Sequence, residues 1–290
     1  MKEEYKAYAK VNIGLDVLRR REDGYHEVKM IMQTVNLFDN LSIEDFEDDN
    51  GTIVISANQD TIPVNEDNLI YKAAKLLMDE FSISKGVKIH LEKNIPVAAG
   101  MAGGSTDAAA TLVGVNEVFS LRLSTEELMK RGVKIGADVP YCIMGGTALS
   151  EGIGEVLSEI KGFPQCHVLI AKPPINVSTK YVYENLHANE LKYHPDIDGL
   201  IEFIKKGDLY GIASKMENVL ETVTVKEYPI IEEIKTFMKE NGAINSIMSG
   251  SGPTVFGLFD DIEKAEEAFL KIKEKNYTNQ IYLTDFKLKD

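Results

Sequence analysis

Residues 96–109 read PVAAGMAGGSTDAA, with Gly100, Gly103 and Gly104 inside five positions and a run of small, helix-compatible residues directly after them. Consecutive glycines let main chain approach a ligand without Cβ clashes, and a helix opening beyond them aims unpaired N–H groups at the same point. Such a helix end carries roughly +0.5 elementary charge, which suits a phosphate. Neither standard phosphate loop fits the spacing. A dinucleotide fingerprint needs G-x-G-x-x-G and an acidic residue about 20 positions on, where Ser120 and Leu121 stand. A Walker A loop needs Lys before its Ser or Thr, and here Gly104 precedes Ser105. The segment reads as a main-chain cradle that dispenses with lysine. The helix that follows, STDAAATLVGVNEVFS, is expected to be capped by Ser105 and apolar along one stripe, with Asp107 complementing its N-terminus.

Upstream, KAYAKVNIGLDVL (6–18) alternates and is rich in β-branched residues, Asp23-Gly24 supplies a turn, and VKMIMQTVNLF resumes the strand pattern. This predicts a long hairpin. GTIVISAN (51–58) and GVKIHLEK (86–93) are predicted strands around a helix whose apolar positions run from Leu69 to Phe81 at helical spacing. Downstream, STEELMKRG predicts a second helix with a Ser124–Glu127 capping box, and IGADVPYCIMGGTALSEGIGEVLSEI predicts a turn and short strands broken by glycine pairs. From about residue 160 come a strand (CHVLIAKP), helical stretches to residue 241, a glycine hairpin (SIMSGSGPTVFGLF), an amphipathic helix over 262–275 and a last strand (QIYLTDFKL). That order predicts an α+β lobe with an antiparallel sheet. The expected division is 1–159, a nucleotide-binding lobe with the glycine loop, and 160–290, an α+β lobe closing the substrate site.

With 290 residues, 44% hydrophobic and 27% charged, the chain is of ordinary globular composition. Its 46 acidic against 32 basic residues give a net charge of −14, which repels nucleic acid and anionic membrane surfaces but leaves room for a small anion held by main chain. Cys142 and Cys166 are too few for a disulfide framework or a cysteine zinc site. The expectation is a cytoplasmic protein with a small-molecule partner, no nucleic acid, no membrane, and an oligomeric state left open.

Taken with YAKVNIGLDVLRRREDGYHEV (8–28) and MSGSGPTVF (248–256), the glycine loop resembles the second of three motifs of the GHMP kinase superfamily, which phosphorylates small molecules with ATP. Within it, the DGYHE turn, EDNLIYKAAKLL (66–77) and GADVPYCIMGGTALSEGIGE (136–155) are similar to the 4-diphosphocytidyl-2-C-methyl-D-erythritol kinase family of the non-mevalonate isoprenoid route. The resemblance implies an α+β, two-lobed fold with mixed and antiparallel sheets and the active site between the lobes. It also implies ATP as donor, Mg2+ as its companion, and the 2-hydroxyl of the cytidine diphosphate alcohol as acceptor. Ala98, Ala99 and Ala102 stand where relatives carry more glycine, and Thr106 where Ser is usual, so a stiffer loop is expected.

Phosphoryl transfer to an alcohol needs the acceptor proton taken and negative charge neutralised. Asp138, in a turn between Gly136 and Pro140, is the candidate base, and the resemblance places Lys10 beside it. The candidate ATP-binding residues are Pro96, Val97, Ala98, Ala99, Gly100, Met101, Ala102, Gly103, Gly104, Ser105 and Thr106, with Asn68 and Leu69 matching a family adenine contact. Asn68 also has the character of a helix N-cap. Candidate substrate residues are Asn12, on the same strand face as Lys10, Tyr25 and His26, suited to stacking on cytosine, Thr179 and Tyr183, matching a family segment over the cytidine, and Gly252 in the third glycine turn. Ser105 or Thr106 is the candidate Mg2+ ligand; the other histidines lack ligand spacing. A superfamily kinase for mevalonate, homoserine or a sugar, and a non-catalytic nucleotide-binding regulator, are the competing readings.

Overall fold

The computed structural model describes residues 2–289. In chain order the elements are β1 (Lys2–Arg20), β2 (His26–Phe46), β3 (Ile53–Ala57), α1 (Leu69–Glu80), β4 (Gly86–Glu92), α2 (Gly103–Val118), α3 (Thr125–Gly132), α4 (Val139–Met144), β5 (Thr147–Gly152) and β6 (Val156–Glu159). They continue with β7 (His167–Lys172), α5 (Thr179–Asn185), α6 (Ile197–Lys206), α7 (Leu209–Lys215), α8 (Glu221–Glu227), α9 (Ile230–Glu240), β8 (Asn245–Met248), β9 (Val255–Phe259), α10 (Ile262–Lys275) and β10 (Gln280–Asp285). Two compact units emerge among the described residues, 2–9, 37–97 and 102–144 in the first, and 10–36, 98–101 and 145–289 in the second. Neither is a continuous stretch, because β1 and β2 carry chain into both. The division at 159/160 is therefore a separate proposal about the chain, not a boundary of these units.

In the first unit, β4 lies between β3, parallel to it, and the second half of β2, antiparallel to it. Leu41, Ile43, Val87, Ile89 and Leu91 from these strands share one core with Ile70 and Leu77 of α1 and Leu112 and Val115 of α2. Burying each such side chain stabilises the fold by roughly 1.5–3 kcal/mol. Gly114 is required by this packing: a Cβ there would sit 2.4 Å from Ile43 and 2.8 Å from the Tyr5 ring. The expected single apolar stripe on α2 is corrected, since Thr106 through Leu112 are buried without a break; α1, α3 and α4 all pack on this helix. The α3 capping box forms as expected, with Ser124 and Glu127 bonded reciprocally. The helix α4 was not expected. Pro140 falls in its first turn, where a missing N–H costs nothing.

In the second unit, β10-β7-β9-β8 form an antiparallel sheet with α9 and α10 packed against it. The first half of β2 pairs with β5, and β5 with β6. The 21–25 turn closes the expected hairpin, with Arg21 N donating to Tyr25 O at 2.8 Å and Gly24 at φ +88°. Alternation along β1 would leave its even positions in water, yet Lys10 through Val17 are all buried. Lys10, Asn12 and Asp16 are thus polar residues enclosed by the fold, not a solvated strand face.

Candidate active site

In the first unit, α1, α2 and α4 bring their N-terminal residues together. Asn68 caps α1, its Oδ1 accepting from Ile70 N at 2.9 Å while its amide donates to Pro63 O at 2.6 Å. Leu69 lies against Gly104, where a Cβ would be 3.6 Å from Leu69 Cδ1. The expected Ser105 cap is corrected: α2 starts at Gly103, its N-cap is Ala102 in the left-handed region at φ +57°, and no side chain caps it. The first-turn amides of Gly103, Gly104 and Ser105 therefore remain uncapped donors, which is the arrangement an anion needs. A Cβ on Gly136 would lie 3.9 Å from Ser105 Oγ, so the turn bearing Asp138 sits beside that helix start. Asp138 is half-buried and its main-chain oxygen accepts from Cys142 N at 3.0 Å, anchoring it to the first turn of α4.

Beneath the loop lies a buried charge cluster. Lys93 Nζ donates to Asp39 at 2.5 Å and to Asp107 at 2.7 Å. The other Asp39 oxygen accepts from the amides of Asn94 at 2.6 Å and Ile95 at 2.8 Å. These bonds hold the chain as it leaves β4 and tie it to α2, so they pin both ends of the glycine loop. The reading of Asp107 as a helix-end complement is corrected: it is 4% exposed and engaged with Lys93. Burial pushes its carboxyl up to about 8, partly opposed by the Lys93 charge, while neighbouring Asp39 adds to the rise. Its Oδ1 has no partner among the described residues.

In the second unit, Lys10 Nζ donates to Asn12 Oδ1 at 2.7 Å, and Asn12 Nδ2 approaches Met30 Sδ at 3.2 Å. The glycine-loop segment 98–101 docks here, Lys10 N donating to Met101 O at 3.2 Å and Ser249 Oγ to Gly100 O at 2.9 Å. The second and third glycine motifs thus touch directly. His26 and Tyr183 rings lie 5.1 Å apart at 41°, and Thr179 shares a 2.8 Å hydrogen bond with Ser251. Burial, with a contribution from the Arg20 charge, pushes His26 downward, favouring the neutral ring. Tyr25 is 60% exposed.

The glycines divide their work in a way that spacing alone did not show. Gly100, at φ +71°, has Ser249 O only 2.3 Å from where a Cβ would be, so it serves motif-to-motif contact. A Cβ on Gly103 would lie 3.0 Å from Lys93 Nζ, whereas Gly104 is exposed. Gly100→Ala is expected to cost about 2–4 kcal/mol through strain and overlap. Gly104→Ala should keep wild-type stability, since its Cβ meets only ordinary contact. Urea unfolding of both variants checks the contrast. Ala98 and Ala102 occupy the left-handed region at φ +51° and +57°, a conformation that costs a residue with a Cβ some strain.

The Thr106 hydroxyl donates to Tyr8 O at 2.8 Å and is buried. Ser105 has no hydroxyl partner among the described residues and is left as the candidate. No cluster of three metal-ligating side chains occurs among the described residues. His90, His167 and His194 are each bonded to one neighbour, Ser56, Asp285 and Asp16. Sequence reading passed over Asp39 and Lys93, although a signal was present. Asp39 is in phase with Leu41 and Ile43, and Lys93 with Val87, Ile89 and Leu91, so both charges fall on the inward register of their strands.

Two interlocked glycine motifs and an uncapped helix start describe a small-molecule kinase of the GHMP class. The family description "GHMP kinases N terminal domain" matches residues 68–146, and "GHMP kinases C terminal" matches 200–278. A 4-diphosphocytidyl-2-C-methyl-D-erythritol kinase of Lachnoclostridium phytofermentans is 56% identical over 97% of this chain and 96% of its own. One from Lachnospira eligens is 53% identical over the same shares. The crystal structure of a 4-(cytidine 5'-diphospho)-2C-methyl-D-erythritol kinase superposes with a TM-score of 0.82 at 29% identity, covering 98% of this chain and 99% of that one. The chain belongs to the 4-diphosphocytidyl-2-C-methyl-D-erythritol kinase family of GHMP kinases.

Proposed function

We propose that this protein transfers the γ-phosphate of ATP to the 2-hydroxyl of 4-diphosphocytidyl-2-C-methyl-D-erythritol, supplying isoprenoid precursors by the non-mevalonate route in the cytoplasm. Identity above 50% over nearly the whole chain to enzymes of that name carries the reading. No helix among the described residues is long and apolar enough to cross a membrane.

In this reading the loop from Pro96 to Thr106 cradles the triphosphate, chiefly through the uncapped amides of Gly103, Gly104 and Ser105, and Asn68 and Leu69 border the adenine. Asp138 takes the acceptor proton and Lys10 contributes positive charge to the transition state. Asn12, Tyr25, His26, Thr179, Tyr183 and Gly252 bind the cytidine substrate. Ser105 would hold Mg2+, which when bound neutralises phosphate charge and needs few protein ligands because it keeps most of its waters.

A panel of alcohols offered with ATP tests the proposal. Turnover of the cytidine diphosphate alcohol far above mevalonate, homoserine and sugars is expected; equal or greater turnover of one of these would replace the substrate, and ATP binding without transfer to any acceptor would leave a regulator. His26→Ala should raise the KM for the cytidine substrate by about 3–10-fold, the worth of one aromatic contact, with the KM for ATP little changed; steady-state kinetics checks this.

A further inference from the structure

We propose that Asn218, Glu221 and Thr224 are positioning residues: one face of the segment entering and opening α8 grips the main chain of the third glycine turn and aims the Ser251 N–H at the bound acceptor. The proposal rests on the kinase reading above for the identity of that acceptor.

The three residues are spaced by three, so they project from one side of a helical turn. Asn218 Nδ2 donates to both Met248 O and Gly250 O at 2.8 Å, and its Oδ1 is fixed by Leu220 N at 3.0 Å. Glu221 Oε1 accepts from Met248 N at 2.7 Å, while its other oxygen is held by Lys235 at 2.6 Å. Thr224 Oγ1 shares its one proton between Leu220 O at 3.2 Å and Ser251 O at 3.3 Å. Four main-chain groups of a four-residue stretch are thereby taken by side chains of one element, and the turn contains Gly250 at φ +57° and Gly252 at φ +87°.

The consequence lies in the peptide planes. In a trans peptide the C=O and the following N–H point in opposite directions. Drawing Gly250 O toward Asn218 therefore turns the Ser251 N–H away from α8. Drawing Ser251 O toward Thr224 turns the Gly252 N–H the same way, where it donates to Ser249 O at 2.9 Å. The Ser251 side chain meets Thr179, and Ser249 meets Gly100 and the amide of Asn12 at 3.4 Å. The gripped turn thus faces the Asn12 strand, the second glycine motif and α5 together, which makes the Ser251 N–H, without a main-chain partner among the described residues, a donor suited to an anionic acceptor.

Asn218→Asp tests this with little change of shape: a carboxylate cannot donate to two carbonyls. The expected result is a rise of about 10-fold or more in acceptor KM, or an equal fall in kcat, with the KM for ATP within about twofold. Glu221→Gln, which still accepts from Met248 N, should restore near wild-type kinetics where Glu221→Leu does not. Acceptor kinetics within about twofold of wild type for both folded Asn218→Asp and Glu221→Leu overturns the proposal, as does an equal rise in the KM for ATP. Should Asn218→Asp fail to fold, the Glu221 pair decides. If the wild type phosphorylates no acceptor of the panel, the kinase reading falls by itself, and hydrogen exchange over 248–252 still decides: faster exchange in Glu221→Leu than in Glu221→Gln upholds the grip, equal exchange removes it.

Discussion

Asp138→Asn is expected to lower kcat by about 10²-fold or more while leaving ATP affinity nearly unchanged, the range for losing a general base. The amide keeps the size of the carboxylate and its place ahead of α4, where the main-chain oxygen still accepts from Cys142 N. It cannot take a proton from the acceptor hydroxyl, so the loss should fall on turnover and not on the cradle of uncapped amides at the start of α2. Single-turnover kinetics beside calorimetric ATP titration separates the two. A variant with wild-type turnover would remove Asp138 from its role; one with lost ATP binding would place the residue in the nucleotide cradle instead.

Lys93→Met is expected to destabilise the fold by about 3–5 kcal/mol near neutral pH, the cost of leaving the buried Asp39 carboxylate without its cation. Its ammonium is enclosed with Asp39 and Asp107, so no solvent replaces the lost partner. The pH dependence has a definite sign. Asp107 stands at about 8 in the folded chain, raised mainly by burial, against about 4 when unfolded. Between these values the folded state binds more protons than the unfolded one, so this group's contribution is full below about pH 4 and is lost as pH rises through about 8. Without Lys93 the folded value moves higher still. The Lys93→Met variant should accordingly be least impaired at about pH 5 and most impaired at about pH 8.5. Adding Asp107→Asn should recover part of the loss at the alkaline end. Urea unfolding across this range checks both; a pH-independent deficit would assign the damage to packing alone.

Much of the fold was legible because local rules and tertiary context agreed. Period-two alternation and an Asp-Gly turn made the β1–β2 hairpin, a Ser124–Glu127 box opened α3, and a helical stripe matched Ile262–Lys275 residue for residue. The site was legible as motifs and less so as geometry. Ser105 has the composition of a cap, yet the chain passes into the left-handed region one residue before Gly103 and starts the helix early. Local preference was overruled there by the docking of 98–101 against the third glycine turn, where Gly100 must lie under Ser249 O.

What the order of residues determined by itself was the kind of protein: three glycine motifs in sequence, a β-rich first half and an α+β second half, and the family they belong to. What only the folded chain decided was which glycine serves which neighbour, which charges are enclosed, and which side chains hold the loops. Those outcomes depend on groups from distant positions meeting at bonding distance, as Asp39, Lys93 and Asp107 do. A hydrogen bond or an overlapping Cβ is decided within a fraction of an ångström, and no periodicity along a chain encodes that separation.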